Sequence, residues 1–338
     1  MSFFPTVASF EAALSALPAA DEASIAAARD RQAQLTKPPG SLGRLEDIAC
    51  LLAGWQGRER PRLDRGRALV FAGNHGVAAL GVSAFPAAVT AQMVANFHAG
   101  GAAINALTRA AGLDLQIIAL DLDHPTADFT RAPAMTEAEC LNALSAGAAA
   151  VEDELDLLLV GEMGIGNSTS AAALAARSFG GRAADWVGPG SGVDSHGLTR
   201  KAEVVAAGLA AHELAPRSAF ETLRRLGGRE IAGIAGAVLA ARHRHVPVVL
   251  DGFISCAAIA PLAAQNRAIT DHCLAGHQSA EPGHARLLAC LGLEPILALG
   301  MRLGEGSGAA VATAVIRAAL AAHDGMATFA EAGVSSGE

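Results

Sequence analysis

The chain has 338 residues and a net charge of −8 with no basic cluster, which argues against nucleic acid as a partner. Hydrophobic residues make up 51% of it but aromatics only 4%, so alanine and glycine carry much of the apolar share, as closely packed helices on a sheet require. The longest apolar stretches, 231–241, 253–264 and 309–316, fall short of the roughly 18 residues that span a bilayer, so no membrane partner is expected.

At the N-terminus, Met1-Ser2-Phe3-Phe4-Pro5 lacks the basic and apolar regions of a signal peptide. Five cysteines, an odd number without a C-x-x-C pair, argue for a reducing, cytoplasmic setting and against a disulfide or zinc framework. Residues 7–36 read as two Ala-rich helices. The paired prolines Pro38 and Pro39 stop the second, and a new helix is expected over 42–55. A basic connector covers 58–67.

Six apolar runs then carry strand character: 68–72, 116–120, 157–160, 185–187, 247–250 and 296–299. Helical segments separate them. Continuous apolar runs suit strands buried on both faces. Interleaved helices make this an α/β fold, a doubly wound and mainly parallel sheet.

Polar and Gly-rich residues follow each run. They include Gly73-Asn74-His75-Gly76, Asp121 to His124, Gly161 to Ser170, Gly188 to Asp194 (with Ser191 inside), Asp251-Gly252-Phe253 and Gly300 to Gly308. In open α/β sheets ligands bind outside the carboxyl ends of the strands, so a site is expected along that rim. In the third segment, Gly161, Gly164 and Gly166 precede Asn167, Ser168 and Thr169 at a helix start. Free N–H groups and hydroxyls there form a phosphate cradle, or else an N-cap with a tight turn. The spacing fits neither a P-loop nor the dinucleotide fingerprint.

The last segment sets one carboxylate, Glu305, among Gly304, Gly306 and Gly308, ahead of a long helix over 309–322. It reads either as a general base or as a capping Glu in a solvated turn. Glu162 is a second candidate carboxylate. Lys201 meets a phosphate or merely ends a helix in solvent. Gly227 and Gly228 add backbone donors or simply form a turn between helices. His75 reads as a buried, hydrogen-bonded structural residue. The other histidines lack metal-ligand spacing, so no metal is assigned.

Segments 37–46 (KPPGSLGRLE), 73–77 (GNHGV), 161–169 (GEMGIGNST), 250–253 (LDGF), 277–281 (HQSAE) and 301–310 (MRLGEGSGAA) together resemble the nicotinate-nucleotide–dimethylbenzimidazole phosphoribosyltransferase family. The resemblance runs from about residue 37 to 320. It implies that 5,6-dimethylbenzimidazole displaces nicotinate from nicotinate mononucleotide, giving α-ribazole 5′-phosphate in cobalamin lower-ligand synthesis without a cofactor. It also implies a homodimer of chains with a large Rossmann-like domain, 61–320, and a small helical domain from 1–60 and about 320–338. Motif by motif, Glu305 takes the place of the general base and Glu162 that of a second acidic residue. Gly164, Gly166, Asn167, Ser168 and Thr169 match the 5′-phosphate loop, with Lys201, Gly227 and Gly228 near the phosphate and ribose. Ser83, Gln92, Met93, Met301, Arg302 and Leu303 fall where the family lines its base pocket. Asn74, where some members carry Asp, and Gln92, shifted by one, leave the preferred base open. Two other readings fit the bare residues: a nucleoside phosphorylase or hydrolase, and a non-catalytic nucleotide-binding protein.

Overall fold

Six strands make one parallel sheet: β1 (Gly66–Ala72), β2 (Asp114–Ala119), β3 (Leu157–Met163), β4 (Val248–Leu250), β5 (Cys273–His277) and β6 (Pro295–Leu297). The structure is a computed structural model and describes residues 3–190 and 192–335, so Ser191 lies outside the described residues. Strand order is β2-β1-β3-β4-β5-β6, with every pair parallel. The chain steps outward from β1 to β2 and then returns past β1 to β3. That reversal is a topological switch point, where the carboxyl ends of the strands leave a crevice.

Helices α1 (Val7–Ser15), α2 (Glu22–Gln34) and α3 (Arg44–Gln56) precede the sheet. They are the helices expected over 7–36 and 42–55. Between β1 and β2 lie α4 (Ala88–His98) and α5 (Ala103–Ala111), and α6 (Glu137–Ala150) leads to β3. The β3-to-β4 connection holds α7 (Asn167–Phe179), α8 (Ser195–Ala211), α9 (Ala219–Leu226) and α10 (Arg229–His243). Then come α11 (Phe253–Gln265), α12 (Pro282–Leu291), α13 (Ser307–Gly325) and α14 (Phe329–Ala332).

Both faces of the central strands β1, β3, β4 and β5 are covered, whereas the edge strands β2 and β6 are only partly buried, short of the two-sided burial expected for every run. In β3, Leu158 and Val160 join a core built with α6, α7 and α9 to α12, while Leu157 and Leu159 join a core built with α3, α4, α5 and α13. Neighbouring strand residues face opposite ways, which is why these strands read as unbroken apolar runs. The small-residue composition has a direct packing use. A Cβ on Gly147 of α6 would lie 1.8 Å from the Gly233 carbonyl oxygen of α10, and one on Gly236 would lie 2.0 Å from the Leu144 carbonyl oxygen. Only glycine lets these two helices approach so closely.

Helix α2 meets the end of α13. Leu35 bridges Thr328, and the Arg31 guanidinium donates to the carbonyls of His323, Asp324 and Met326 at 2.8, 3.0 and 3.2 Å. Those carbonyls end α13 and would otherwise lack partners. Helix α1 instead docks on α9, with Phe10 against Phe220.

One expected strand is absent and one was missed. Residues 185–187 are not a strand: Ala183–Asp185 is a short 3₁₀ turn, and Trp186 is buried beside it. Its indole N–H donates to the Gly180 carbonyl at 2.8 Å and the Arg286 guanidinium covers its ring. The apolar character there serves packing under α12, not a sheet. The missing strand is β5, whose Gly276 sits so close to α13 that a Cβ would fall 2.8 Å from Ala309 Cα.

Candidate active site

A cavity of about 650 Å³ opens along the carboxyl ends of β3 to β6. Its floor is made of the loops that follow these strands, and 82–93 closes one side. Glu162, Gly164, Gly166, Asn167 and Ser168 line it from β3 and the start of α7. Asp251 enters from β4, His277, Ser279 and Glu281 from β5, and Arg302, Leu303, Gly304 and Glu305 from β6. The loop after β2, from Asp121 to His124, is not part of its wall.

Glu305 is held in an uncommon backbone conformation. Gly304, Glu305 and Gly306 have φ of +84°, +64° and +84°. For the non-glycine residue that costs about 1–2 kcal/mol, so the surroundings must hold it. The Glu305 N–H donates to the Glu162 carbonyl oxygen at 3.2 Å, and the Ser307 N–H to that of Gly304 at 3.0 Å. Gly161 supplies the space: a Cβ there would lie 2.3 Å from Gly306 N. Glu305 is 5% exposed, so the solvated-turn reading does not hold. Among the described residues it has no salt bridge, and its Oε2 has no hydrogen-bond partner. Burial raises its pKa, against a backbone hydrogen bond from Ile104. The Glu305 Oε2 is shielded from solvent while the residue lines the cavity, and a desolvated carboxylate at a cavity wall is equipped to accept a proton.

Glu162 stands beside it. Gly304 has no side chain because Glu162 Oε1 occupies that space: a Cβ would be 2.6 Å away. The Asn167 amide donates to Glu162 Oε2. Burial pushes the Glu162 carboxyl up to about 8, and the charges of Asp251 and Glu230 push in the same direction. Asp251, 1% exposed, is raised to about 7 by burial, against N–H donors at the start of α13.

The glycine loop after β3 leads into α7, whose first residues Asn167 and Ser168 line the cavity, a placement suited to an anion. Gly166, at φ +96°, makes the turn. Thr90 Oγ1 accepts the Ile165 N–H at 3.2 Å and braces the loop. Thr169 is buried under it, away from the wall, and its Oγ1 has no partner among the described residues. Lys201 is 1% exposed rather than solvated. Its ammonium donates to Ser168 Oγ at 3.0 Å and to the Gly188 carbonyl at 2.7 Å. Burial lowers its pKa, while Glu281 opposes that. Glu281 in turn accepts the Gly190 N–H at 2.8 Å.

Behind the loop, His75 is buried and bonded to Ser170 Oγ at 3.0 Å and to Glu230 at 2.5 Å. This is the structural histidine expected from the sequence. Gly227 and Gly228 lie off the wall; a Cβ on Gly228 would meet the His75 ring at 2.2 Å. Ser83 and Met93 line the cavity with Val82, Phe85 and Val89. Gln92 is exposed on α4, and Met301 is half-buried off the wall, its carbonyl accepting the Ala280 N–H at 3.0 Å. Asp251, His277, Ser279 and Glu281 stand out in the sequence only as parts of motifs. The available signal was position, since each follows closely on a buried strand.

A family model described as "Phosphoribosyltransferase" matches residues 17–334. The nicotinate-nucleotide–dimethylbenzimidazole phosphoribosyltransferase of Novosphingobium aromaticivorans is 70% identical over 337 residues, covering 100% of both chains. The protein of that name from Ruegeria pomeroyi is 60% identical over 331 residues, 98% of each. A solved structure of the Thermus thermophilus enzyme of that name superposes with a TM-score of 0.87 at 42% identity, covering 94% of this chain and 100% of the other. The chain with the paired buried carboxylates and the glycine loop therefore belongs to the nicotinate-nucleotide–dimethylbenzimidazole phosphoribosyltransferase family.

Proposed function

We propose that this chain transfers the 5-phosphoribosyl group from nicotinate mononucleotide to 5,6-dimethylbenzimidazole, releasing nicotinate and forming α-ribazole 5′-phosphate. The observation that carries the reading is Glu305, a buried carboxylate without a salt bridge among the described residues, lining the same cavity as the glycine loop of α7. In this reading the loop N–H groups, Asn167, Ser168 and the ammonium of Lys201 hold the 5′-phosphate. The azole lies between Met93, Val82, Val89 and Leu303. The pyridinium nitrogen bonded to ribose C1 leaves as a neutral ring, so no acid need protonate it. The azole nitrogen attacks from the opposite face, which turns a β-nucleotide into an α-linked product. The attack uses the lone pair of the unprotonated ring nitrogen, and Glu305 takes the proton from the other ring nitrogen, which leaves the linked azole neutral. Glu162, bonded to Asn167, ties the base end of the site to the phosphate end.

The same reading assigns 61–320 to a large domain and 1–60 with about 320–338 to a small helical one; the Leu35–Thr328 and Arg31 contacts support this for α2, while α1 packs on α9 of the large part. It makes the enzyme a homodimer, in which a second copy covers Phe85 and Leu303, 51% and 57% exposed at the cavity. It places the enzyme in the cytoplasm, consistent with four buried cysteines and Cys290, all unpaired.

The test is direct. Nicotinate mononucleotide is incubated with the enzyme, with and without dimethylbenzimidazole, and products are separated by chromatography. Nicotinate release that depends on the azole, matched by α-ribazole 5′-phosphate, is expected. Equal release without the azole would make the protein a hydrolase, and binding without turnover a non-catalytic protein.

A further inference from the structure

We infer that Asp251 is a positioning residue for the transfer: reaching across from β4, its carboxylate holds the first turn of α13 and with it the left-handed backbone that aims Glu305. The inference rests on Glu305 being the base. Asp251 Oδ1 accepts the Ala309 N–H at 2.9 Å and Oδ2 accepts the Gly306 N–H at 3.2 Å. These are N–H groups at a helix start, which have no partner within the helix. Helix α13 cannot cap itself. Its N-cap residue is Gly306, with no side chain, and Ser307 Oγ has no hydrogen-bond partner among the described residues.

Both acceptors of Asp251 are thus committed to the residues just after Glu305. A neutral amide of the same shape offers one acceptor and turns its NH₂ toward an N–H, so one end of the cap must let go. Nearby ionisable groups are Glu305 and Glu162, together with His277, whose Nε2 lies 3.8 Å from Oδ1. Asp251 also touches the cavity, so direct contact with substrate is the rival role.

The experiment measures kcat and both KM values for wild type, Asp251→Asn, Glu305→Gln and the double variant, with circular dichroism confirming the fold. Asp251→Asn is expected to lower kcat roughly tenfold to a hundredfold, as a displaced catalytic group does, with each KM within about twofold. In the Glu305→Gln background the same change should cost less than about threefold, since residues acting as a unit are not additive. If Asp251→Asn does not fold, Asp251→Glu replaces it, with the same expectation for its misplaced carboxylate. A wild-type kcat, an equal loss in both backgrounds, or a raised KM at unchanged kcat would each overturn the inference. Failure of the base assignment is read separately, from Glu305→Gln alone.

Discussion

Gly161→Ala puts a single methyl group into the packing that holds Glu305. The added Cβ would lie 2.3 Å from Gly306 N, 2.6 Å from Glu305 C and 2.6 Å from Gly306 Cα. All three are backbone atoms, so no side chain can rotate away. Restoring ordinary contact needs a shift of about 1 Å in the loop or the strand. Overpacking of this kind costs about 1–3 kcal/mol, or a few degrees of Tm in a chain of this size. Displacing a catalytic group by that much costs on the order of 10²-fold in rate. Activity should therefore fall far more than stability. Gly325→Ala is the control, because no atom lies within 4 Å of its added Cβ and its φ is not positive. The assay is α-ribazole 5′-phosphate formation beside thermal unfolding of the three proteins. A Gly161→Ala enzyme with wild-type kcat would refute the claim that this close contact fixes Glu305.

Two further outcomes are expected. Lys201→Met removes donors to Ser168 and Gly188 beneath the glycine loop proposed to hold the phosphate, and should raise KM for nicotinate mononucleotide by roughly ten- to a hundredfold, as lost charge-assisted hydrogen bonds do; unchanged nucleotide KM counts against it. Glu162 has a folded-state pKa of about 8 against an ordinary 4.5, so between those values the folded chain binds more protons than the unfolded one. Its burial therefore costs stability increasingly as pH rises through that window. Glu162→Gln should raise Tm at about pH 8 and lose that advantage by about pH 5; an equal effect at both pH values would contradict this.

Much of this architecture could be read from residues because burial on both faces leaves an unambiguous mark. The runs in β1, β3 and β4 are apolar throughout, and their interleaved helices imposed a parallel sheet. Strand β5 escaped notice because Ala275 and Gly276 are small where α13 presses on the sheet, and small residues do not announce a strand. Trp186 and Val187 misled for the opposite reason, since buried bulk under a helix imitates a strand over three residues. Glu305 was legible because glycines surrounded it, and those glycines meet positive φ and close contact. Asp251 was not picked out, because capping a helix 55 residues later is a tertiary relation that no local pattern encodes.

The most direct test is the pH dependence of kcat for Glu305→Gln beside wild type. With Glu305 as the base, kcat of the variant falls on the order of 10²-fold or more at neutral pH and loses the low-pH limb that protonation of Glu305 gives the wild type. A variant with near-wild-type kcat and the same low-pH limb would contradict that role.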